Sequence, residues 1–142
     1  MNPGLLYRET AIAGASPIRL VVLLYEQAIE DLRRAVAAQR KGDIEERTRE
    51  INHAVLVIGH LQATLDRKQG GKVSDNLERF YRQVISGLRE AQAKQSTAGL
   101  EKQISLLIEI HDAWCEVERQ LAPATIQLQE TGEDHSRSEW NA

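Results

Sequence analysis

Apolar residues recur along this chain at intervals of three and four, the spacing that gathers side chains on one side of an α-helix. Four such stretches follow one another. The first opens at Ser16-Pro17, a hydroxyl cap followed by a proline whose missing N–H costs nothing at the first helical position. It carries Val21, Leu24, Tyr25, Ala28, Leu32 and Ala35 and ends at Gly42. The second starts at Asp43, with Glu46 three residues on as an acidic form of the capping box. Its stripe is Ile51, Ala54, Val57, Ile58, Leu61 and Leu65, and the Gly70-Gly71 pair stops it. The third carries Leu77, Phe80, Tyr81, Val84, Leu88 and Ala91. The fourth, capped by Ser96 or Thr97, carries Leu100, Ile104, Leu107, Ile110, His111, Trp114, Val117 and Leu121, with Pro123 expected to close it.

Each stretch has about 22 to 24 residues and would make a rod of roughly 33 to 36 Å. Joints of a few residues turn neighbouring rods antiparallel. The predicted fold is therefore all-α, an antiparallel up-down four-helix bundle over residues 16–121. Residues 1–15 hold apolar Leu5, Leu6, Tyr7 and Ile12 without a long period and read as an N-terminal cap segment. Residues 122–142 read as a mobile, disordered acidic C-terminal tail.

Composition narrows the function classes. A chain of 142 residues can bury a real core without disulfide or metal staples. Its 18 bases and 21 acids give a net charge of −3. Glu130, Glu133, Asp134 and Glu139 against Arg137 account for that excess, so the body up to Leu121 is neutral. With no cluster of more than two adjacent bases, it lacks the electrostatic footprint of a nucleic-acid binder. The single Cys115 excludes an internal disulfide and fits a reducing compartment. The longest uninterrupted apolar run, Leu20 to Leu24, is far too short to span a membrane. No basic flank with a long apolar stretch marks a signal peptide. A cytoplasmic protein without membrane insertion is expected.

Some apolar residues fall off the core stripes. At 100° per residue, Leu23 lies roughly 160° and Leu20 about 100° from the centre of the first stripe. Leu56 sits near the back of the second helix, and Leu106 and Ile108 flank the stripe of the fourth. Scattered surface leucines are common, and the N-terminal segment could fold over some of these. The alternatives with functional content are a groove for an amphipathic partner helix and a symmetric homodimer interface.

Catalytic and metal-binding patterns are weak. Glu50 and His53 match the Glu-x-x-His spacing of di-iron bundles, but the second such motif and the two further inward glutamates are missing. His53 and His60 are too far apart for a helical zinc pair. His111 is expected beside the core, hydrogen-bonded, and Cys115 as a buried thiol without a partner that would make it a thiolate. Gly70-Gly71-Lys72 lacks the rest of a phosphate loop. No catalytic residue, metal or cofactor is expected.

In order and spacing the chain resembles the flagellin-specific secretion chaperones, the FliS family, over roughly residues 5 to 118. The matching pieces are Tyr7, then Ala15-Ser16-Pro17-Ile18-Arg19-Leu20 leading into Leu23-Leu24-Tyr25-Glu26, and Lys41-Gly42-Asp43 at the first turn. Ile51-Asn52-His53-Ala54, Val57-Ile58 and Leu61 to Leu65-Asp66 follow, then Gly70-Gly71, Asn76-Leu77, Phe80-Tyr81 and Asp112-Ala113-Trp114. The chain departs from the family's usual pattern at Arg82-Gln83-Val84, at Gln92, and at Leu56, a place often polar in relatives.

The resemblance implies a cytoplasmic export chaperone, not an enzyme. Such a protein holds the disordered C-terminal segment of flagellin, which becomes helical as it wraps the bundle. It prevents premature polymerisation and presents the subunit to the flagellar type III export gate. On that client-facing surface we place Leu20, Leu23, Ile51, Val55, Leu56 and Ile58, with the stripe residues Ile51 and Ile58 more consistent with the core. Tyr7 and Ile12 would be a displaceable cover. The competing readings are a homodimeric helical adaptor and a metal-binding bundle enzyme.

Overall fold

The structure, a computed structural model, describes the backbone of residues 16–66 and 68–141 and the side chains of residues 16–66 and 68–121. Four helices follow in order: α1 (Pro17–Lys41), α2 (Ile44–Ala63), α3 (Gly71–Lys94) and α4 (Thr97–Asn141). α1 packs against α2 and α4, and α3 closes the square against the same two neighbours. The backbones of diagonal helices stay apart, so side chains alone meet across the centre. The all-α bundle expected from the periodicity is the fold observed. The cap segment 1–15, with Tyr7 and Ile12, and the side chains of the acidic tail 122–142 lie outside the described residues.

Local chemistry sets the helix ends. Ser16 Oγ accepts from the Arg19 N–H at 3.2 Å, and Asp43 Oδ1 accepts from the Glu46 N–H at 3.0 Å. Each satisfies a first-turn donor that the helix itself leaves open. Ser96 Oγ does the same for Gly99 at 2.9 Å. Gly42 ends α1 with φ +76°, a left-handed conformation open to glycine without strain. Between α2 and α3, Asp66 Oδ1 accepts from the N–H groups of Lys68 and Gln69, and Ser74 Oγ donates to the Asp66 carbonyl at 2.9 Å. A Cβ on Gly70 would lie 2.6 Å from that carbonyl, so the turn needs a glycine there.

The core is one cluster drawn from all four helices. It includes Tyr25, Leu32, Ile51, Ile58, Leu61, Tyr81, Val84, Leu88, Leu100 and Leu107. Tyr25 and Tyr81 meet across the diagonal, ring centroids 6.1 Å apart and tilted by 53°, and the Tyr25 hydroxyl donates to the Tyr81 oxygen at 2.9 Å. Burial raises the Tyr25 phenol pKa far above its ordinary value, and its Tyr81 partner adds to that. Burial also raises Tyr81. Both stay neutral, as a buried hydroxyl pair requires.

Four details differ from the periodic pattern. Val22 is fully buried without belonging to the central cluster, whereas Val21, on the expected stripe, is half-buried and packs against that cluster. α2 stops at Ala63, ahead of the glycine pair, and Leu65 packs on the core from the connecting turn. Val117 and Leu121, placed by their spacing on the core stripe, are exposed. Arg19 in the first turn of α1 pairs with Glu118, so Val117 and Leu121 sit at the level where α1 begins. The α4 backbone is also helical past Pro123, where a stop was expected. A proline removes one intrahelical hydrogen bond and crowds the preceding turn, but the chain beyond it can remain helical.

The hydroxyl pair yields a stability prediction. Tyr81→Phe leaves the buried Tyr25 hydroxyl without its acceptor and should cost about 1–3 kcal/mol. Replacing both tyrosines by phenylalanine should cost less than the two single changes summed, since both polar groups go together. Urea denaturation of the three variants measures this; strict additivity would count against the pair as a coupled unit.

Candidate functional site

The residues singled out in the sequence divide by depth. Ile51 and Ile58 are inside the bundle, at 2 % and 0 % exposure, as members of the central cluster. They follow the α2 stripe that meets the other helices, so they support the surface from below and are not part of it. Leu20 and Val55 are half-buried and packed against the core, and Leu23 is half-buried on α1. Leu56 stands out from the back of α2, 66 % exposed. Ile44, also on α2 and 57 % exposed, joins Leu56 on an outer face that includes Glu45, Thr48, Arg49, Asn52 and His53. Ile44 escaped notice because it directly follows the Asp43 cap, where the helical period has barely begun.

A buried polar cluster lies beneath that face. Asp31 on α1 is fully buried. Its Oδ1 accepts from Gln27 Nε2 and from an Arg34 NH2, both at 2.7 Å, and its Oδ2 meets His53 Nδ1 at 2.5 Å. Arg34 also reaches Glu30 at 2.8 Å and Glu50 at 3.3 Å. These carboxylates hold the guanidinium pKa above its ordinary value against the opposing effect of burial. The Glu50–His53 half-motif is thereby accounted for: Glu50 binds Arg34 and His53 binds Asp31. Among the described residues, no group of three or more His, Cys, Asp or Glu side chains is arranged to hold a metal ion.

A second cluster lies between α1 and α4. His111 Nε2 is 3.0 Å from Glu26 and 3.5 Å from Cys115 Sγ, and its Nδ1 is 3.1 Å from Asp112. A Cys–His pair invites comparison with a thiol nucleophile, which needs a lowered pKa. Here burial raises the Cys115 thiol, and the carboxylates of Glu26, Glu118 and Asp112 push it further in the same direction. The arrangement keeps the sulfur protonated and ties α1 to α4. No helix among the described residues is long and apolar enough to cross a membrane.

Comparison with known proteins agrees with this geometry. The family described as flagellar protein FliS matches residues 2–121. Flagellar secretion chaperone FliSB of Pseudomonas aeruginosa is 34 % identical over 106 residues, covering 75 % of this chain and 84 % of that protein. Flagellar secretion chaperone FliS of Salmonella typhimurium is 30 % identical over 110 residues, 77 % and 82 % of the two chains. The Bacillus subtilis protein of the same name is 26 % identical over 113 residues, 80 % and 84 %. This chain belongs to the FliS family of flagellar secretion chaperones. Its role is that of a chaperone in flagellar export.

The state of Cys115 can be checked directly. Alkylation by iodoacetamide at pH 7.5 should run several-fold slower in the folded protein than in urea, and the folded rate should climb as pH passes the ordinary thiol range. Faster reaction in the folded chain would mean an activated thiolate.

Proposed function

We propose that this protein holds the disordered C-terminal segment of flagellin in the cytoplasm, prevents its premature polymerisation, and delivers it to the flagellar type III export gate. Support comes from membership of the family together with apolar surface beyond the core: Leu56 and Ile44 exposed on α2, and Leu20, Leu23 and Val55 half-buried. A segment that folds on binding typically covers on the order of 1,000–3,000 Å² and loses several kcal/mol to ordering. Scattered apolar side chains on a rigid bundle suit that bargain, because they hold many sequences and let them go. Ile51 and Ile58 contribute through the core that fixes the pitch of α2. Tyr7 and Ile12 of the N-terminal segment are the displaceable cover of the same surface.

Two measurements test the assignment. In titrations with a flagellin C-terminal peptide, Leu23→Asp and Leu56→Asp should each weaken binding about tenfold or more, a loss of roughly 1.4 kcal/mol or greater. Unchanged affinity in both, with helicity intact, removes these residues from the client surface. Deleting residues 1–14 should raise the peptide on-rate, since a site covered part of the time binds in proportion to its open fraction. An equal or slower rate argues against a cover.

A further inference from the structure

At the end of the bundle where α2 starts, a buried cation lacks an anion. Arg47, only 4 % exposed, is held by two neutral amides from different helices. Its Nε donates to Gln92 Oε1 of α3 at 3.1 Å, and its Nη1 donates to Gln39 Oε1 of α1. Those amides are fixed in turn. Gln92 Nε2 donates to Thr48 Oγ1 at 2.7 Å, and Gln39 Nε2 to the Gln95 carbonyl at 3.3 Å. The third guanidinium nitrogen, Nη2, has no partner among the described residues. Gln103 Oε1 is the one side-chain polar atom among them that is sealed from solvent without a partner, so Nη2 is not sealed.

The guanidinium borders a pocket of about 110 Å³ whose other walls are Gln39, Gly42, Asp43, Ile44 and Gln95. Asp43 is the acid of that lining. Its carboxylate caps α2 by accepting from the Glu46 N–H at 3.0 Å and forms no ion pair with Arg47. The cap leaves the first-turn N–H groups of Ile44 and Glu45 open at the positive end of α2. The carbonyl ends of α1 and α3 reach the same level and would oppose an anion. The N–H groups of Gly42, Asp43, Gln95 and Ser96 cover four of those oxygens. Amide oxygens satisfy N–H groups without cancelling a full charge, and a guanidinium is never deprotonated in a protein. Arg34, with a side chain 42 % exposed, has three carboxylates, whereas the more deeply buried Arg47 has none.

We propose that this pocket is a carboxylate site, in which Arg47 Nη2 and the open N–H groups at the start of α2 donate to one bound carboxylate. Charge selects the class of ligand. A carboxylate brings the single negative charge that Arg47 lacks, and it matches the planar fork of a guanidinium. A phosphate dianion would bring a second charge against Asp43, Glu45 and Glu46 in the same turn. Gln39 and Gln92 are positioning residues: they orient the fork from α1 and α3, so the site is built before anything enters it. Ile44 belongs both to this pocket and to the outer face of α2. A polypeptide lying on that face therefore has a carboxylate within reach of the site, and a small free carboxylic acid carries the same group. The site itself does not depend on the client reading; only its polypeptide source does.

The test is NMR titration of the full chain with sodium acetate replacing sodium chloride at constant ionic strength. The Arg47 Nε–H, the side-chain amides of Gln39 and Gln92 and the backbone N–H groups of Ile44 and Glu45 should shift together and saturate. Acetamide, of the same shape without the charge, should not move them. Arg47→Lys keeps the charge but loses the fork and should weaken acetate about fivefold or more. Ile44→Asp, at an exposed position, sets a like charge at the mouth and should weaken it about tenfold; it decides the matter if Arg47→Lys does not fold. Shifts that never saturate, that acetamide reproduces, or that ignore Ile44→Asp overturn the site. A flagellin C-terminal peptide added to the acetate-bound protein then identifies the source. Displacement of acetate that is lost when one peptide carboxylate is neutralised assigns the site to the polypeptide. Peptide binding that leaves acetate in place assigns it to small free carboxylates. If the peptide does not bind at all, the client reading fails while the acetate result stands.

Discussion

Two charges buried along the α1–α2 seam constrain the rest of the molecule. Asp31 is closed off from solvent, and Arg47 is 4 % exposed. Each would be prohibitive alone. Asp31 is tolerated because Gln27, Arg34 and His53 surround it with donors. Arg47 is tolerated because its guanidinium donates to Gln39 at 2.5 Å and Gln92 at 3.1 Å. Those partners come from α1, α2 and α3, so satisfying two ions fixes how three helices sit. An apolar seam would bind as well in several registers; a seam with two ions and their fixed sets of partners is satisfied in one. Ala35 and Ala38, one turn on from Asp31 and Arg34 on the same side of α1, keep the helices close enough for these short contacts.

The polar ties to α4 lie closer to the surface than the Asp31 and Arg47 sets. Arg19–Glu118, Glu26–His111 and Arg40–Glu101 run along the α1–α4 edge. Exposed pairs of this kind contribute little individually, and they serve to align α4 more than to hold it. Gln92 Nε2 donates to Thr48 Oγ1 at 2.7 Å and ties α3 to α2. The tyrosine pair then joins α1 to α3 through the centre. Apolar matter not needed by this frame is left outside, on the back of α2 and at Val117 and Leu121 of α4.

The architecture was legible from spacing because α1, α2 and α4 announce a start or stop in local chemistry: Ser16, Gly42, Asp43 and Ser96 act where their residue types imply. Depth within a helix was less legible. Val21 and Val22 are adjacent and both apolar, and the spacing that places Val21 against the core cluster does not reveal that Val22 is the more deeply buried of the two. Val117 and Leu121 keep the core period but sit at the level where α1 begins, a matter of how the helices are placed and not of pattern. The Asp31–His53 contact joins residues on separate helices, each looking like ordinary surface on its own. Only the pairing of α1 with α2 brings the carboxylate beneath the imidazole. The same pairing engages both residues of the Glu50–His53 half-motif with partners on α1.

A chaperone for an unfolded segment faces two opposed demands. It must hold the chain firmly enough to keep it from assembling, and it must release it without a large barrier. Apolar contacts meet the second demand, being non-directional and tolerant of sliding. They meet the first poorly, because a segment that can slide can also occupy many positions with exposed ends. A rigid bundle lets a few polar positions restore the register while most of the contact remains unspecific. Stiffness matters here more than number: side chains fixed by their packing on a rigid bundle have little freedom left to lose when a segment settles on them. The buried Asp31 and Arg47 sets join α1, α2 and α3 from within and so contribute to that rigidity.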